Sequence, residues 1–446
     1  MSHVFPRHHH IELPCVASAE GCYLTDTEGR RYLDGSGGAA VAALGHGNAQ
    51  VNQAMIDQLQ KVSFAHTSFF TSAPAEALAD KLAALAPGNL SRVYYTTGGS
   101  EAVEAALKLA RQVAVERGEP DRHRIIAREL SYHGNTLGAL AAGGNLPRRE
   151  TFAPMLLPTS HIAPCHAWRD RQPGESDIDY GKRAAQALEA EILRLGAGNV
   201  LAFIAEPVVG ATAGAVAAVP GYFKEIRAIC DRYGVLLILD EVMCGMGRTG
   251  SLFACEQDDV VPDILTMAKG LAAGYQPLGA MMCTEEIYQI IGEGTGFFQH
   301  GHTSNGHPVA CAAALSVVTQ IAEPAMLAQI NQRGDALARK LQKRFGSHSH
   351  VGDLRGRGLF RGLELVRDRE HNTPFDPALK VHARIKKAAM AHGLICYPSG
   401  GSRDGVNGDH VLLAPPFVIS EVQLDELVDK LSAAMDQVLE EVKAAA

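Results

Sequence analysis

Two short apolar runs that end in opposite charges constrain this chain more than any other feature. Leu236-Leu237-Ile238-Leu239 stops abruptly at Asp240 and Glu241, and Ile264-Leu265-Thr266-Met267-Ala268 stops at Lys269 and Gly270. Apolar runs this short, bounded by Tyr233-Gly234 on one side and by charges on the other, read as strands buried on both faces. Open α/β sheets hold their ligands at the carboxyl ends of such strands. Two strand ends therefore present one acid and one amine.

A lysine at the end of a buried run is partly desolvated, which lowers its pKa and makes its amine a nucleophile toward an aldehyde. An aspartate close by can hold a cationic ring nitrogen. Pyridoxal phosphate needs that pair: a lysine for its aldehyde and an aspartate that keeps its ring an electron sink. A structural ion pair, or two solvated charges flanking strands, explains Asp240 and Lys269 equally well when they are taken alone.

The rest of the chain repeats the pattern. Apolar runs near residues 94, 125, 203, 237 and 265 alternate with helical stretches, as in a parallel sheet covered by helices. Val93-Tyr94-Tyr95-Thr96 leads through Thr97-Gly98-Gly99-Ser100 into a strongly helical segment from Glu101 to Arg111. Strand, glycine turn and helix start together suit an anion, with Ser100 as a simple helix cap in the plainer reading. Ser131-Tyr132-His133-Gly134 follows the run at 125 and offers aromatic rings to a planar ligand. Cys22-Tyr23-Leu24 and Arg31-Tyr32-Leu33 bracket a hairpin turn, and Gly35 to Ala40 is a loop of small residues. Pro308 to Ile321 reads as a helix, and from about 325 onward helices and glycine-rich strands make a smaller α+β domain. The expected division is an N-terminal segment over 1–60 that joins the small domain, a large domain over 61–323 and a C-terminal small domain over 324–446.

Composition sets limits on partners. The chain has 446 residues, 46% hydrophobic and 20% charged, with a net charge of −8, and no Lys/Arg run of the kind that marks a nucleic-acid or lipid surface. Its nine cysteines are scattered without a C-x-x-C pair, which argues for reduced thiols and a cytoplasmic location. No stretch reaches the ~18 uninterrupted apolar residues of a membrane span. His8-His9-His10 reads as a flexible polar terminus, and no metal site is expected. Gly245-Met246-Gly247-Arg248-Thr249-Gly250 fits the G-x-G-x-x-G fingerprint of dinucleotide sites and raises an NAD-linked oxidoreductase as the remote alternative. It lies too far beyond its strand and lacks a following helix, so a flexible glycine loop is the better expectation.

Thr97-Gly98-Gly99-Ser100-Glu101-Ala102, Ser131-Tyr132-His133-Gly134, Ala205-Glu206-Pro207, Asp240-Glu241-Val242, Ala268-Lys269-Gly270 and His302-Thr303-Ser304-Asn305-Gly306-His307-Pro308, in this order and spacing, resemble the class III aminotransferases. The resemblance runs from Gly29 to Pro416. It implies a fold-type-I homodimer or tetramer, with a large, mostly parallel seven-stranded sheet and a smaller domain built from both termini. It also implies pyridoxal 5'-phosphate as cofactor and ping-pong transfer of an amino group to a 2-oxo acid. By that resemblance Lys269 is the Schiff-base lysine and Asp240 pairs with the ring nitrogen. Gly99 and Ser100 hold the phosphate, Thr303 reaches it across the dimer, and Tyr132 and Val242 press the two ring faces. Glu206 lies toward the substrate. A decarboxylase or aminomutase of the same fold would share every one of these residues.

The departures bear on substrate. Relatives that act on ornithine or 4-aminobutyrate carry an arginine two residues before Ala-Pro-Pro, where this chain has Leu412, and relatives like the ω-transaminases use a mobile arginine where this chain has Tyr397. Arg403, in the glycine-rich loop from Ser399 to Gly408, is a candidate substitute for the missing carboxylate clamp, against the plainer reading of a solvated surface-loop arginine. Ala39 and Ala40 stand where several ω-transaminases carry a bulky aromatic, and Phe69 and Phe70 are candidates to line a roomy pocket. A primary amine or ω-amino acid as donor and pyruvate or a similar oxo acid as acceptor are expected.

Overall fold

The computed structural model describes residues 3–444. Leu236–Asp240 forms a strand in which every residue is buried, and the alternation of side chains splits it between two cores. Leu237 and Leu239 join the larger core, while Leu236 and Ile238 pack into a second one beneath the helix Gly99–Glu116. That helix presents an alanine-rich face, including Ala102, Ala105, Ala106 and Ala110, so its backbone lies close on the sheet. Each fully buried leucine or isoleucine in these layers contributes about 1.5–3 kcal/mol.

Seven strands make the central sheet. In chain order they are β1 (Leu90–Thr96), β2 (Arg124–Arg128), β3 (Thr159–Ile162), β4 (Val200–Ala205), β5 (Leu236–Asp240), β6 (Ile264–Met267) and β7 (Gly279–Thr284), arranged β1-β7-β6-β5-β4-β2-β3. Only β7 runs antiparallel, between β6 and β1. The five strands expected from their apolar runs are β1, β2, β4, β5 and β6. The two that periodicity did not reveal have weak strand signatures: β7 opens on glycine and lacks a β-branched interior, and β3 is Thr-Ser-His-Ile.

Both ends of the chain meet in the smaller domain. The hairpin strands Tyr23–Asp26 and Arg31–Asp34 are extended by the parallel strand Leu394–Ile395, whose partner in the register is Leu33-Asp34. A second antiparallel sheet combines Val351–Arg357, Phe360–Leu365, Asp409–Leu413 and Tyr397–Gly400. The helix Glu421–Ala444 closes this domain on a stripe that includes Leu424, Leu427, Leu431 and Met435.

The expectation of a flexible loop over Gly245–Gly250 is corrected: it is a packed turn. Arg248 is 2% exposed, its guanidinium donates to the carbonyls of Pro415 at 2.6 Å and Leu359 at 3.2 Å, and it lies 4.5 Å over the Phe417 ring. A methyl group added at Gly247, where φ is +82°, would stand 2.9 Å from Ile321. The glycines fit the turn between walls of the two domains, leaving its backbone committed to packing rather than to a dinucleotide.

Candidate active site

The parallel strands deliver one set of side chains to one edge of the sheet. Gly98 to Ser100 follow β1, Ser131 to Gly134 follow β2, Glu206 follows β4, Asp240 ends β5 and Lys269 follows β6. Together Gly99, Ser100, Tyr132, His133, Gly134, Glu206, Val208, Asp240, Val242, Met243, Cys244 and Lys269 line a cavity of about 130 Å³. This is the smaller of two notable hollows; a more open one of about 1170 Å³ lies elsewhere, against Phe70, His300 and Thr303. Of the two, the smaller one contains Asp240 and Lys269, the acid and amine brought together by the sheet.

Asp240 is held by three neighbours. Its Oδ2 lies 2.7 Å from Nδ1 of His133, and its Oδ1 accepts from the Val242 N–H at 3.0 Å and the Thr266 hydroxyl at 3.3 Å. The adjacent Glu241 turns the other way and accepts from the N–H groups of Ala254 at 2.6 Å and Cys255 at 2.8 Å. One acid of the pair thus faces the cavity and the other fastens the chain behind it. The sequence places His133 beside Tyr132 in the aromatic loop but gives no sign of its pairing with Asp240.

Lys269 has φ of +45°, a left-handed conformation that costs a non-glycine residue about 1–3 kcal/mol and that concentrates at functional sites. Its side chain is half-buried by surface area because the amine opens into the cavity, although protein surrounds it closely. Desolvation lowers its pKa from the usual lysine value, against the opposing charges of Asp240 and Glu206. Among the described residues it has no hydrogen-bond or ion-pair partner, so the amine is available to a ligand.

The helix Gly99–Glu116 starts without a side-chain cap. Its N-cap is Gly98, not Ser100, which corrects the plainer reading of that serine. The Ser100 Oγ accepts from the Asn135 N–H at 3.0 Å and retains its own proton to donate. Gly99 and Gly134 are required for space. A methyl at Gly99 would stand 2.6 Å from Val242 Cγ1, and one at Gly134, where φ is +137°, would stand 2.5 Å from Ser100 Oγ. An uncapped helix N-terminus over glycines, a free hydroxyl, an unpartnered amine and the buried, unpartnered Nε2 of His133 fit a flat anionic aldehyde such as pyridoxal phosphate.

The substrate-side expectations divide. Glu206 is in the cavity, where it accepts weakly from the Tyr132 N–H at 3.4 Å. Ala40 is 3% exposed and packs in the cluster of Val208, Met243, Cys244 and Leu412, with Tyr397 against its edge, and neither is among the residues that line the cavity. Arg403 is corrected: it is exposed, donates to the Asn372 carbonyl at 3.1 Å and opens onto a different small hollow with Trp168 and Arg169. Phe70 is 69% exposed and lines the large hollow with Thr303, not the Lys269 cavity of its own chain.

Burial pushes the Glu206 carboxyl up to about 7, with His133 opposing. A folded value above the unfolded one contributes stability that is fully present below the unfolded carboxylate range and is lost as pH rises through about 7. Glu206→Gln cannot ionise. In the cofactor-free protein it is expected to exceed the parent by under about 1 kcal/mol at about pH 5 and by about 2–3 kcal/mol at about pH 8. Thermal melts at the two pH values check this, and an equal difference at both would refute it.

Comparison with known proteins decides the family. The aminotransferase class-III family profile matches residues 4–435. The chain belongs to the class III aminotransferases. This aminotransferase is 45% identical over 420 residues to an uncharacterized aminotransferase of Schizosaccharomyces pombe, covering 94% of this chain and 92% of that one. It superimposes with a TM-score of 0.92 and 35% identity on an (S)-enantioselective omega-transaminase from Thermomicrobium roseum, covering 98% of this chain and 96% of the other. A second solved structure, the PMP-bound form of an aminotransferase from Vibrio fluvialis, matches with a TM-score of 0.88 and 33% identity over 96% of this chain and 94% of its own. The enzyme is thus a transaminase of the fold-type-I architecture, with pyridoxal phosphate the cofactor its family implies.

Proposed function

We propose that this aminotransferase moves the amino group of a primary amine or ω-amino acid to a 2-oxo acid such as pyruvate, by a ping-pong sequence at Lys269. The observation that carries the reading is the unpartnered, desolvated Lys269 amine in one cavity with the anchored Asp240 carboxylate. Lys269 would hold the cofactor's aldehyde carbon and Asp240 its ring nitrogen, with His133 and Thr266 fixing the carboxylate. Gly99, Ser100 and the start of their helix would hold the phosphate, and Tyr132 and Val242 would bound the ring.

Bound pyridoxal phosphate supplies an electron sink that acidifies the carbon bearing the amino group. Lys269 would do the rest of the proton work: with its Nζ neutral and not tied to another protein group, it would accept the proton of the substrate carbon that bears the amino group and give it back on the far side of the nitrogen. A lowered lysine pKa serves this role, because the amine must be neutral to accept a proton. The walls of Val208, Met243 and Cys244 keep the site apolar beside that amine.

The second half of the site is proposed to come from another copy. Phe69 and Phe70 are 79% and 69% exposed, and Phe297 is 61% exposed, around the large hollow that holds Thr303. Exposed aromatic surface of this kind is covered in an assembly, which supports a homodimer in which Thr303 and Phe70 serve the partner's cavity. The division at about residues 60 and 323 into small and large domains belongs to the same reading. Among the described residues no single helix is long and apolar enough to cross a membrane. The free cysteines, all buried but Cys15, favour a reducing compartment such as the cytoplasm.

Loading the protein with pyridoxal phosphate, reducing with borohydride and mapping the modified peptide tests the assignment. Label on Lys269 is expected; label on any other lysine overturns it. Donor and acceptor panels then separate amino transfer from decarboxylation or mutase chemistry by their products.

A further inference from the structure

The chain lacks an arginine at either place where its family resemblance expects a carboxylate clamp, and the loop arginine that is a candidate to replace it points elsewhere. Leu412 is fully buried and Tyr397 is half-buried. A different guanidinium stands beside Tyr132, one of the residues that line the cavity. The one-turn helix Leu146–Arg149, capped by the Asn145 side chain on the Arg148 N–H at 3.3 Å, sets the Arg148 guanidinium 4.7 Å over the ring of Tyr132. Tyr132 is itself part of the Lys269 cavity, and its hydroxyl accepts from Asn135 Nδ2 at 3.1 Å.

Among the described residues the Arg148 guanidinium makes no ion pair and no hydrogen bond, and it lies over the aromatic face of Tyr132. Its charge reaches the site, acting on both Lys269 and Tyr132. The glycine-rich loop that carries the candidate Arg403 braces it instead. A methyl group at Gly405 would stand 3.3 Å from Leu146 Cβ and 3.4 Å from Pro147 Cδ, so the loop backbone presses on the turn that carries Arg148. The loop is stiffened from within, since Asp404 accepts from the N–H groups of Val406 at 2.9 Å and Asn407 at 2.7 Å.

We propose that Arg148 is the specificity-determining residue that binds the carboxylate of the oxo-acid substrate, held over Tyr132 by the turn and by the loop behind it. This rests on the transaminase reading of the Lys269 cavity given above. A half-buried guanidinium on an aromatic face has its planar fork free for bidentate pairing with a carboxylate, and it is more weakly hydrated than an ammonium. An amine donor without a carboxylate leaves the cation in its resting place over Tyr132. One site can then accept both acidic and neutral substrates in alternate half-reactions.

The test compares two acceptors of similar size on the pyridoxal-phosphate-loaded enzyme: pyruvate, which has the carboxylate, and propanal, which lacks it. Arg148→Ala is expected to raise KM for pyruvate about tenfold to a hundredfold, the worth of a charge-assisted hydrogen-bond pair. KM for propanal and the affinity for pyridoxal phosphate are expected to stay unchanged. Arg148→Lys is expected to restore part of the loss, and Arg403→Ala to leave both acceptors as they were. An equal effect of Arg148→Ala on pyruvate and propanal would show that the residue only supports Tyr132, and no effect on either would also overturn the proposal. Failure of the unaltered enzyme to use pyruvate at all refutes the underlying substrate reading, and that outcome is visible before any variant is made.

Discussion

Lys269→Ala is expected to lower turnover by about ten-thousandfold or more while leaving the fold as stable as the parent. The loss is large because one amine serves both as the nucleophile that meets the cofactor aldehyde and as the base that moves the proton. No other amine is among the residues lining the cavity. Stability is expected to hold because the amine has no protein partner to lose and its charge is penalised by burial, while alanine keeps the backbone strain at φ +45°. Lys269→Gly relieves that strain, since glycine adopts that conformation freely and is expected to melt above the alanine variant by about 1 kcal/mol. Steady-state rates with a primary amine and pyruvate, together with thermal melts of the cofactor-free proteins, measure both halves. Activity within tenfold of the parent in the alanine variant would sink the mechanism, whatever the melts show.

Asp240→Asn follows with an expected loss of about a hundredfold to a thousandfold in kcat, the range for removing one preorganised electrostatic partner. The change is isosteric. The amide oxygen can still accept from the Val242 N–H and the Thr266 hydroxyl, so the strand end keeps its shape. What disappears is the anion that would hold a protonated ring nitrogen and face His133 across 2.7 Å. Affinity for pyridoxal phosphate is expected to fall along with kcat, read from the visible absorbance on titration. Melting behaviour close to the parent would separate this electrostatic loss from a folding defect. Unchanged kcat would mean that Asp240 is a structural acid like its neighbour Glu241, which fastens Ala254 and Cys255.

The contrast between those two adjacent acids shows where sequence reading reaches its limit. Both close the same apolar run, and the alternation of a strand sends them to opposite faces. Only the register against β6, with Asp240 beside Thr266, shows which face holds the cavity. The same is true of arginine. Arg403 lies in a loop with the right chain position, but Asp404 folds the loop on itself and Arg403 leans to Asn372. Arg148, in a turn with no distinctive pattern, is the one over Tyr132. Gly245–Gly250 matched a nucleotide fingerprint residue for residue, yet its arginine is a buried strut between the Leu359 and Pro415 carbonyls.

The sequence by itself determined the alternation of buried strands and helices, the small residues at the phosphate-type turn, and the lysine and aspartate at two strand ends. These are local matters: run length, side-chain period and residue type decide them within a few positions. Tertiary structure decided the antiparallel strand β7, the pairing of His133 with Asp240, the inward side of the Asp240-Glu241 pair, and which arginine lies over Tyr132. Each of those depends on segments tens to hundreds of residues apart, whose relative placement is set by packing of the whole sheet and its helices rather than by any local propensity.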